Sequence, residues 1–374
     1  MNHRTGHGPS HWRSLGLAAI VVTASAVLAA GCGDSGTDAS STIAKAKTGA
    51  NGHPDFHGVT LHYLGFGGAN DKAMRTAWFD PYEKLTGLKV VSDQPTDYKK
   101  LKIQQQSGNV QYDLVDGDAF IMDPGCGKDW QPLDVPNLKN VLPDYKPQSR
   151  CTAPDYVYQY VLGYSPKLNP APQSCADFFD KAKFPGKRQA WSYYYGSIGE
   201  CAASAGGADA KSPYPLDLDS VFDKIGSLKG DLDLYDTDNQ AADSMVNDDA
   251  TMGVYTTRMV YEANQQGAGW KVAPGWATVT NGTFGIPKGA PHADAAQALL
   301  DYILDEDNNK KFAEELPIYG SVVTRSVPQA ETIEDQRLVS GGPAMADAAT
   351  HVDWNWWAKN DPTFSQGWIG ATSG

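Results

Sequence analysis

Residues 59–91 run VTLHYLGFGGANDKAMRTAWFDPYEKLTGLKVV. Val59, Leu61 and Tyr63 alternate with polar residues, the period of a half-buried strand, and the strand runs out at Gly65-Phe66-Gly67-Gly68. Asn70 can then cap a helix whose apolar face carries Met74, Trp78, Tyr82 and Leu85, with Gly87 as its stop. Leu88 to Val91 reads as a second strand. Working outward, a helical stretch from Tyr98 to Gln106 leads to a third strand at Tyr112-Asp113-Leu114-Val115. Strand, helix, strand repeated in this way predicts a parallel α/β sheet.

The rhythm continues toward the C-terminus. Tyr158 to Leu162, Gln189 to Tyr193, Thr251 to Tyr255 and Gly282 to Ile286 read as strands. Leu218 to Leu228 and Ala293 to Leu304 read as helices. Ligands of open α/β sheets bind beyond the carboxyl ends of the strands. That rule singles out the loops after Tyr63, Val115, Trp191 and Met252.

Toward the N-terminus, Arg4 and Arg13 precede an apolar run from Leu15 to Ala30, which ends in Leu28-Ala29-Ala30-Gly31-Cys32. A basic start, a short apolar stretch and small residues before a cut describe a secretory signal over residues 1–31. The run falls short of the roughly 20 residues of a membrane span. Leu-Ala-Ala-Gly-Cys resembles a bacterial lipobox, which implies cleavage before Cys32 and lipid on its thiol. Residues 32–56 are small and polar, a composition that cannot offset its own ordering entropy. They read as a tether reaching about 27 Å. The expected location is the extracytoplasmic face of the cell membrane, with the lipid as the sole membrane contact.

Loss of residues 1–31 takes two arginines and no acids, so the net charge moves from −13 to −15. Such acidity argues against nucleic acid or anionic membrane surfaces as partners. It is compatible with a cationic ligand. Cys126, Cys151, Cys175 and Cys201 remain besides Cys32, and four cysteines in an exported chain imply two disulfides among three possible pairings. Pairing of neighbours, Cys126–Cys151 and Cys175–Cys201, is favoured; each would contribute about 3 kcal/mol in the chain-entropy model.

Several segments, taken in order, resemble the polyamine-type extracellular solute-binding proteins of ABC importers. They are Phe79 to Val90 (FDPYEKLTGLKV), Tyr112 to Val115, Phe184-Pro185-Gly186-Lys187-Arg188, Tyr214-Pro215-Leu216-Asp217, Ile286 to Pro291, Pro317-Ile318-Tyr319-Gly320 and Asp353-Trp354-Asn355-Trp356-Trp357-Ala358. The resemblance implies an α/β, two-lobed periplasmic-binding-protein-like fold with crossing hinge strands. Lobe 1 would comprise residues 57–160 and 284–330, and lobe 2 residues 161–283 and 331–374. The crossings would lie near Tyr158–Tyr164 and Gly282–Ile286, with a return after Tyr319. It also implies a small-molecule ligand held between the lobes and ABC permease subunits as partners, with the chain acting as a monomer.

Carried over position by position, the resemblance places Phe66, Asp118, Phe120, Tyr255 and Tyr319 in the cleft. Aromatic faces and carboxylates suit an amine, because rings attract cations and carboxylates hold ammonium ends. Two departures narrow the ligand. Tyr193, Tyr194 and Tyr195 stand where polyamine binders place acids, and Trp276 to Asn281 lacks the family's aspartate. Trp276 and Asn281 join the candidates there. On a strand, Tyr193 and Tyr195 would face one way and Tyr194 the other. The set suits a polyamine-like amine, and equally an amino-acid or opine, or a sugar stacked on the rings. Trp354, Trp356 and Trp357 read as core of a terminal helix.

No catalytic set assembles. Tyr195-Gly196-Ser197-Ile198-Gly199 lacks the first glycine of a nucleophile elbow, and Gly65-Phe66-Gly67-Gly68 lacks the third glycine of a dinucleotide loop. His53 and His57 are four apart but flank Pro54, so they form no helical metal site. A binding protein without cofactor or metal is the expectation, and a secreted hydrolase is the competing class.

Overall fold

The computed structural model describes residues 47–373; the stretch read as a signal segment, Cys32 and most of the stretch read as a tether lie outside them. From Lys47 the chain is already docked, with a bridge between Thr48 and Pro54. Phe56 is buried in the core, and its N–H donates to the Thr86 carbonyl. Phe56, read from the sequence as the last residue of a tether, thus belongs to the folded part.

Three parallel strands open the fold: β1 (Thr60–Leu64), β2 (Lys89–Asp93) and β3 (Leu114–Gly117), with β1 between the other two. Helices α1 (Gly68–Met74) and α2 (Asp80–Thr86) connect β1 to β2, and α3 (Tyr98–Ser107) connects β2 to β3. Between α1 and α2 the five residues Arg75–Phe79 wind as a π-helix, which sets the Trp78 indole on the Phe312 ring at 5.0 Å. Gly87 ends α2 in the left-handed region at φ 72°, where a side chain would also collide with the His57 ring. Asn70 does not cap this helix. The chain enters α1 at Gly67, so Asn70 falls within the first turn and its amide is used elsewhere.

After the short α4 (Ala119–Met122) comes β4 (Thr152–Tyr164), then α5 (Cys175–Phe179), β5 (Arg188–Trp191), α6 (Ile198–Ala205), α7 (Leu218–Ser227), β6 (Leu232–Tyr235), α8 (Asp238–Asn247), β7 (Met252–Thr256), α9 (Thr257–Gln265) and β8 (Lys271–Gly285). The chain finishes with α10 (Ala293–Ile303), α11 (Glu306–Glu315), β9 (Gly320–Ser321), β10 (Ala349–His351) and α12 (Trp354–Thr372). Strand order is β2-β1-β3-β8-β4-β7-β5-β6. Within each outer block the strands run parallel, but β4 and β8 are antiparallel to each other and to their neighbours β7 and β3. The sheet is thus mixed rather than parallel throughout. β4 and β8 span 13 and 15 residues, far beyond the pieces the periodicity marked. Nearly every position of β4 is buried, so no alternation shows its length.

Both disulfides, Cys126–Cys151 and Cys175–Cys201, are present. Trp357, Phe364 and Trp368 anchor α12 in the core of the second block. Among the described residues no helix is long and apolar enough to cross a membrane.

Candidate functional site

The carboxyl end of β7 pairs with β4 at Tyr160, and that of β3 pairs with β8 at Thr283, itself opposite Pro154 of β4; titratable side chains concentrate along this part of β4. Tyr156, Tyr158 and Tyr160 alternate along β4, so the strand presents their three rings in a row, with centroids 6.2 and 5.8 Å apart. At its end β3 delivers Asp116 and, two residues on, Asp118.

Asp118 joins the two blocks. Its Oδ2 accepts hydrogen bonds from the hydroxyl of Tyr98, on α3, and from that of Tyr193, after β5, each at 2.9 Å. The Asp118 N–H in turn donates to the Tyr98 oxygen at 2.6 Å. So close an approach of Tyr98 needs Gly117 beside it, since any side chain there would strike the Tyr98 hydroxyl. Burial holds the Asp118 carboxyl above the usual range, while the two phenols pull it back. Phe120 completes this contact: its ring lies 4.0 Å from that of Tyr195 and 5.1 Å, nearly parallel, from Trp354.

Behind it lies a second group. Asp116 and Asp155 are both wholly buried. The Tyr63 hydroxyl reaches Asp116 Oδ2 at 3.4 Å, and the Tyr156 N–H reaches Asp155 Oδ1 at 2.7 Å. Burial first, and then nearby acids, push the Asp116 carboxyl well above its ordinary value; burial does the same to Asp155. Asn70 ties the edge of this group together: its Nδ2 donates to the Tyr156 hydroxyl at 3.0 Å, and its Oδ1 accepts from Tyr319 at 3.2 Å. Tyr319 also touches the guanidinium of Arg258, which pairs with Asp238 and Glu262. One wall is acidic, and one cation stands at its margin.

The ten candidate residues divide. Asp118, Phe120, Tyr193, Tyr195 and Tyr319 belong to the two groups just described. Phe66 sits on the loop after β1 and is 46% exposed. Strand β5 ends at Trp191, so the alternation expected of Tyr193, Tyr194 and Tyr195 is not kept: Tyr194 stacks on Phe364 at 4.9 Å, and its hydroxyl and that of Tyr195 both donate to Asp361 on α12. Tyr255 is a core residue, fully buried against Tyr235 and Trp270, with its hydroxyl on Gln189 at 2.8 Å. Trp276 is likewise buried in the core of the second block. Asn281 spends its amide on Gly282 and Thr283 and borders a small cavity of 50 Å³ beside His351 and Trp354. Trp354 is more than helix packing, because it stacks on Phe120 and donates to Thr280 at 3.0 Å.

The residues missed are Tyr63, Asn70, Asp116, Asp155, Tyr156, Tyr158 and Arg258. A signal was available: Asp155-Tyr156-Val157-Tyr158-Gln159-Tyr160 alternates tyrosines directly after a carboxylate. A larger cavity of 470 Å³ opens beside Tyr319, Arg325 and Gly341, and Asp116, Asp155 and Tyr158 are not among its walls.

Residues 77–340 match the family described as bacterial extracellular solute-binding protein. A gamma-aminobutyric acid-binding protein of Pseudomonas aeruginosa is 26% identical over 319 residues, which is 82% of this chain and 89% of that protein. An ABC transporter substrate-binding protein from Bradyrhizobium japonicum has a similar structure, with a TM-score of 0.75 at 25% identity over 84% of this chain and 99% of that one. A binding protein of Agrobacterium tumefaciens R10, solved with agropinic acid, shares the fold at a TM-score of 0.71 and 23% identity, over 85% of this chain and all of that one.

Proposed function

The chain belongs to the bacterial extracellular solute-binding protein family, and on that premise we propose that it captures an amine-bearing, amino-acid-like solute for an ABC importer. The observation that carries this reading is the acidic, tyrosine-lined wall with a single guanidinium at its edge. Asp116, Asp155 and Asp118 suit an ammonium group, and the tyrosine faces of β4 suit the methylenes behind it. Arg258, beyond Tyr319, already pairs with Asp238 and Glu262, and a carboxylate at the other end of the solute would share its guanidinium with them. A linear polyamine would need acids at both ends, and the second block supplies tyrosines where the resemblance implied them. The gamma-aminobutyric acid of the Pseudomonas relative has the matching chemistry, one amine and one carboxylate on a short chain. The solute is held and released unchanged, and the chain works from the extracytoplasmic face behind a lipid on Cys32.

A thermal-shift screen of the full-length protein in detergent tests the proposal. The panel holds 4-aminobutyrate, other ω-amino acids, opine-like conjugates, putrescine, spermidine and oligosaccharides. A ligand at 100 times its Kd adds about 2.7 kcal/mol, a rise of a few degrees for a chain of this size. The expected result is a shift with ω-amino acids that exceeds any shift with polyamines. A shift with sugars alone would overturn the proposal.

A further inference from the structure

Two carboxyls at the centre of the molecule are only half partnered: Asp116 accepts from Tyr63 and Asp155 from the Tyr156 N–H, each through one oxygen. Asp116 and Asp155 come from different strands, β3 and β4, and both are fully shielded from water. Asp116 Oδ1 and Asp155 Oδ2 accept no hydrogen bond from any described N–H or O–H. The two side chains instead lie against each other, close enough to hydrogen-bond once one of them carries a proton. A buried polar atom left without a donor costs about 1–3 kcal/mol, and more when charged. A fold that needed only packing here would gain by two apolar residues. The arrangement makes sense as a seat waiting for a donor from outside.

We propose that the Asp116–Asp155 pair is the ammonium seat of the cleft, and that the incoming amine takes the place of the proton the two carboxyls share. This deepens the reading of the chain as a receptor for an amine-bearing solute and rests on it. The exchange balances. Before binding, two carboxylates hold one proton; afterwards they hold one ammonium, the net charge is unchanged, and one proton has gone to solvent. The ammonium brings three N–H donors, so the two unpartnered oxygens are satisfied with one donor to spare.

The groups facing the pair fit this role. Asp71, on α1, and Asp118, beyond β3, add negative charge and strengthen the pair's hold on its proton or on the amine that replaces it. Tyr63, Tyr98, Tyr156 and Tyr158 have their hydroxyls near these carboxyls and keep their protons, since burial pushes each phenol well above its ordinary value. They are donors throughout the working range. Arg75, whose guanidinium bonds Asp80, Glu83 and the Val90 carbonyl, acts on Asp71 only through its charge, which partly offsets that acid. Both paired carboxyls are themselves held high by burial, which is what keeps a proton between them in the empty protein.

Because binding releases a proton, affinity must rise with pH while the pair is protonated, by up to about tenfold per unit, and level off above that range. The experiment is calorimetric titration of the full-length protein in detergent with 4-aminobutyrate, methylamine and, as an anion control, butyrate. It is run from pH 5.5 to 8.5 in two amine-free buffers of different ionisation heat. The expected result is release approaching one proton per amine, with affinity climbing as pH rises. In Asp116→Asn and Asp155→Asn the release disappears and affinity falls at least tenfold. Asp118→Asn, outside the pair, weakens binding but keeps the release, and it serves if either variant of the pair fails to fold. Amine binding that releases no proton, or that survives unchanged in both pair variants, overturns the seat and leaves the receptor reading intact. If no amine binds at any pH, or butyrate alone does, both are overturned.

Discussion

Tyr158 and Tyr255 show how one residue type takes two roles in this chain. Tyr158 is only partly buried, and its phenol is held high by burial, by Tyr160 and by Asp118, Asp155 and Asp116, so its hydroxyl lies near those three carboxyls. Tyr255 is wholly buried and satisfied by Gln189. Tyr158→Phe should therefore weaken amine binding about tenfold, the loss of roughly 1.4 kcal/mol, with the melting point nearly unchanged. Tyr255→Phe should leave affinity alone and cost about 1 kcal/mol of stability. Paired binding and denaturation measurements check both, and the reverse pattern would move the site. Sequence alone made Tyr255 a candidate, because alternation cannot tell which face of a doubly buried strand meets a cleft.

Glu200 makes a different residue-scale prediction. It is fully buried between α6 and α12, where Tyr214 and Trp357 donate to its Oε1 and its Oε2 has no partner. Burial raises its carboxyl to about 7. The folded protein thus holds this proton more tightly than the unfolded chain does. The resulting stability is full below about pH 4.5 and is lost as pH climbs through about 7. The span corresponds to about 3 kcal/mol. Glu200→Gln, measured by denaturation between pH 4.5 and 8, should flatten that part of the decline and leave the variant the more stable form at pH 8. Parallel curves for the two proteins would refute the assignment.

At the scale of elements, the short parallel strands were legible and the long crossing strands were not. β1 alternates because one of its residues, His62, meets solvent between buried neighbours. β4 and β8 are covered on both faces, so period-two reading caught only the stretch Tyr158–Leu162 of β4 and the carboxyl end of β8. For the same reason the tyrosine row of β4 was marked as a crossing strand and not as part of the site. The terminal helix was read as packing, yet Trp354 reaches across to Phe120. That contact yields a prediction: Phe120→Ala removes the ring held between Tyr195 and Trp354, at a cost of about 3 kcal/mol. The loss should appear as a lower melting point and faster amine release in stopped-flow displacement. Unchanged release would mean that the Tyr195–Phe120–Trp354 contact plays no part in holding the ligand.

For the whole molecule, the sequence made the two-block α/β architecture and the family readable, because the ordered segments from Phe79 to Ala358 span almost all of the folded chain. The ligand was less readable. Acids missing from the expected loops were visible, whereas acids supplied by the middle of the sheet, Asp116 and Asp155, look in sequence like any strand-end aspartates. Because β4 and β8 are shared by both blocks, hinge motion about them is the expected response to the solute. At this scale the lipid reading of the N-terminus also has its test: Cys32→Ala should move the protein from the membrane fraction to the medium, and retention in the membrane would contradict it.

The most direct measurement is a crystal structure of the protein grown with 4-aminobutyrate. The amine nitrogen is expected within hydrogen-bonding distance of the Asp116 and Asp155 carboxyls, the chain along Tyr156 and Tyr158, and the carboxylate directed toward Arg258. Ligand found instead in the 470 Å³ cavity beside Arg325, or bound in the cleft with its carboxylate against the acids' side, would contradict it.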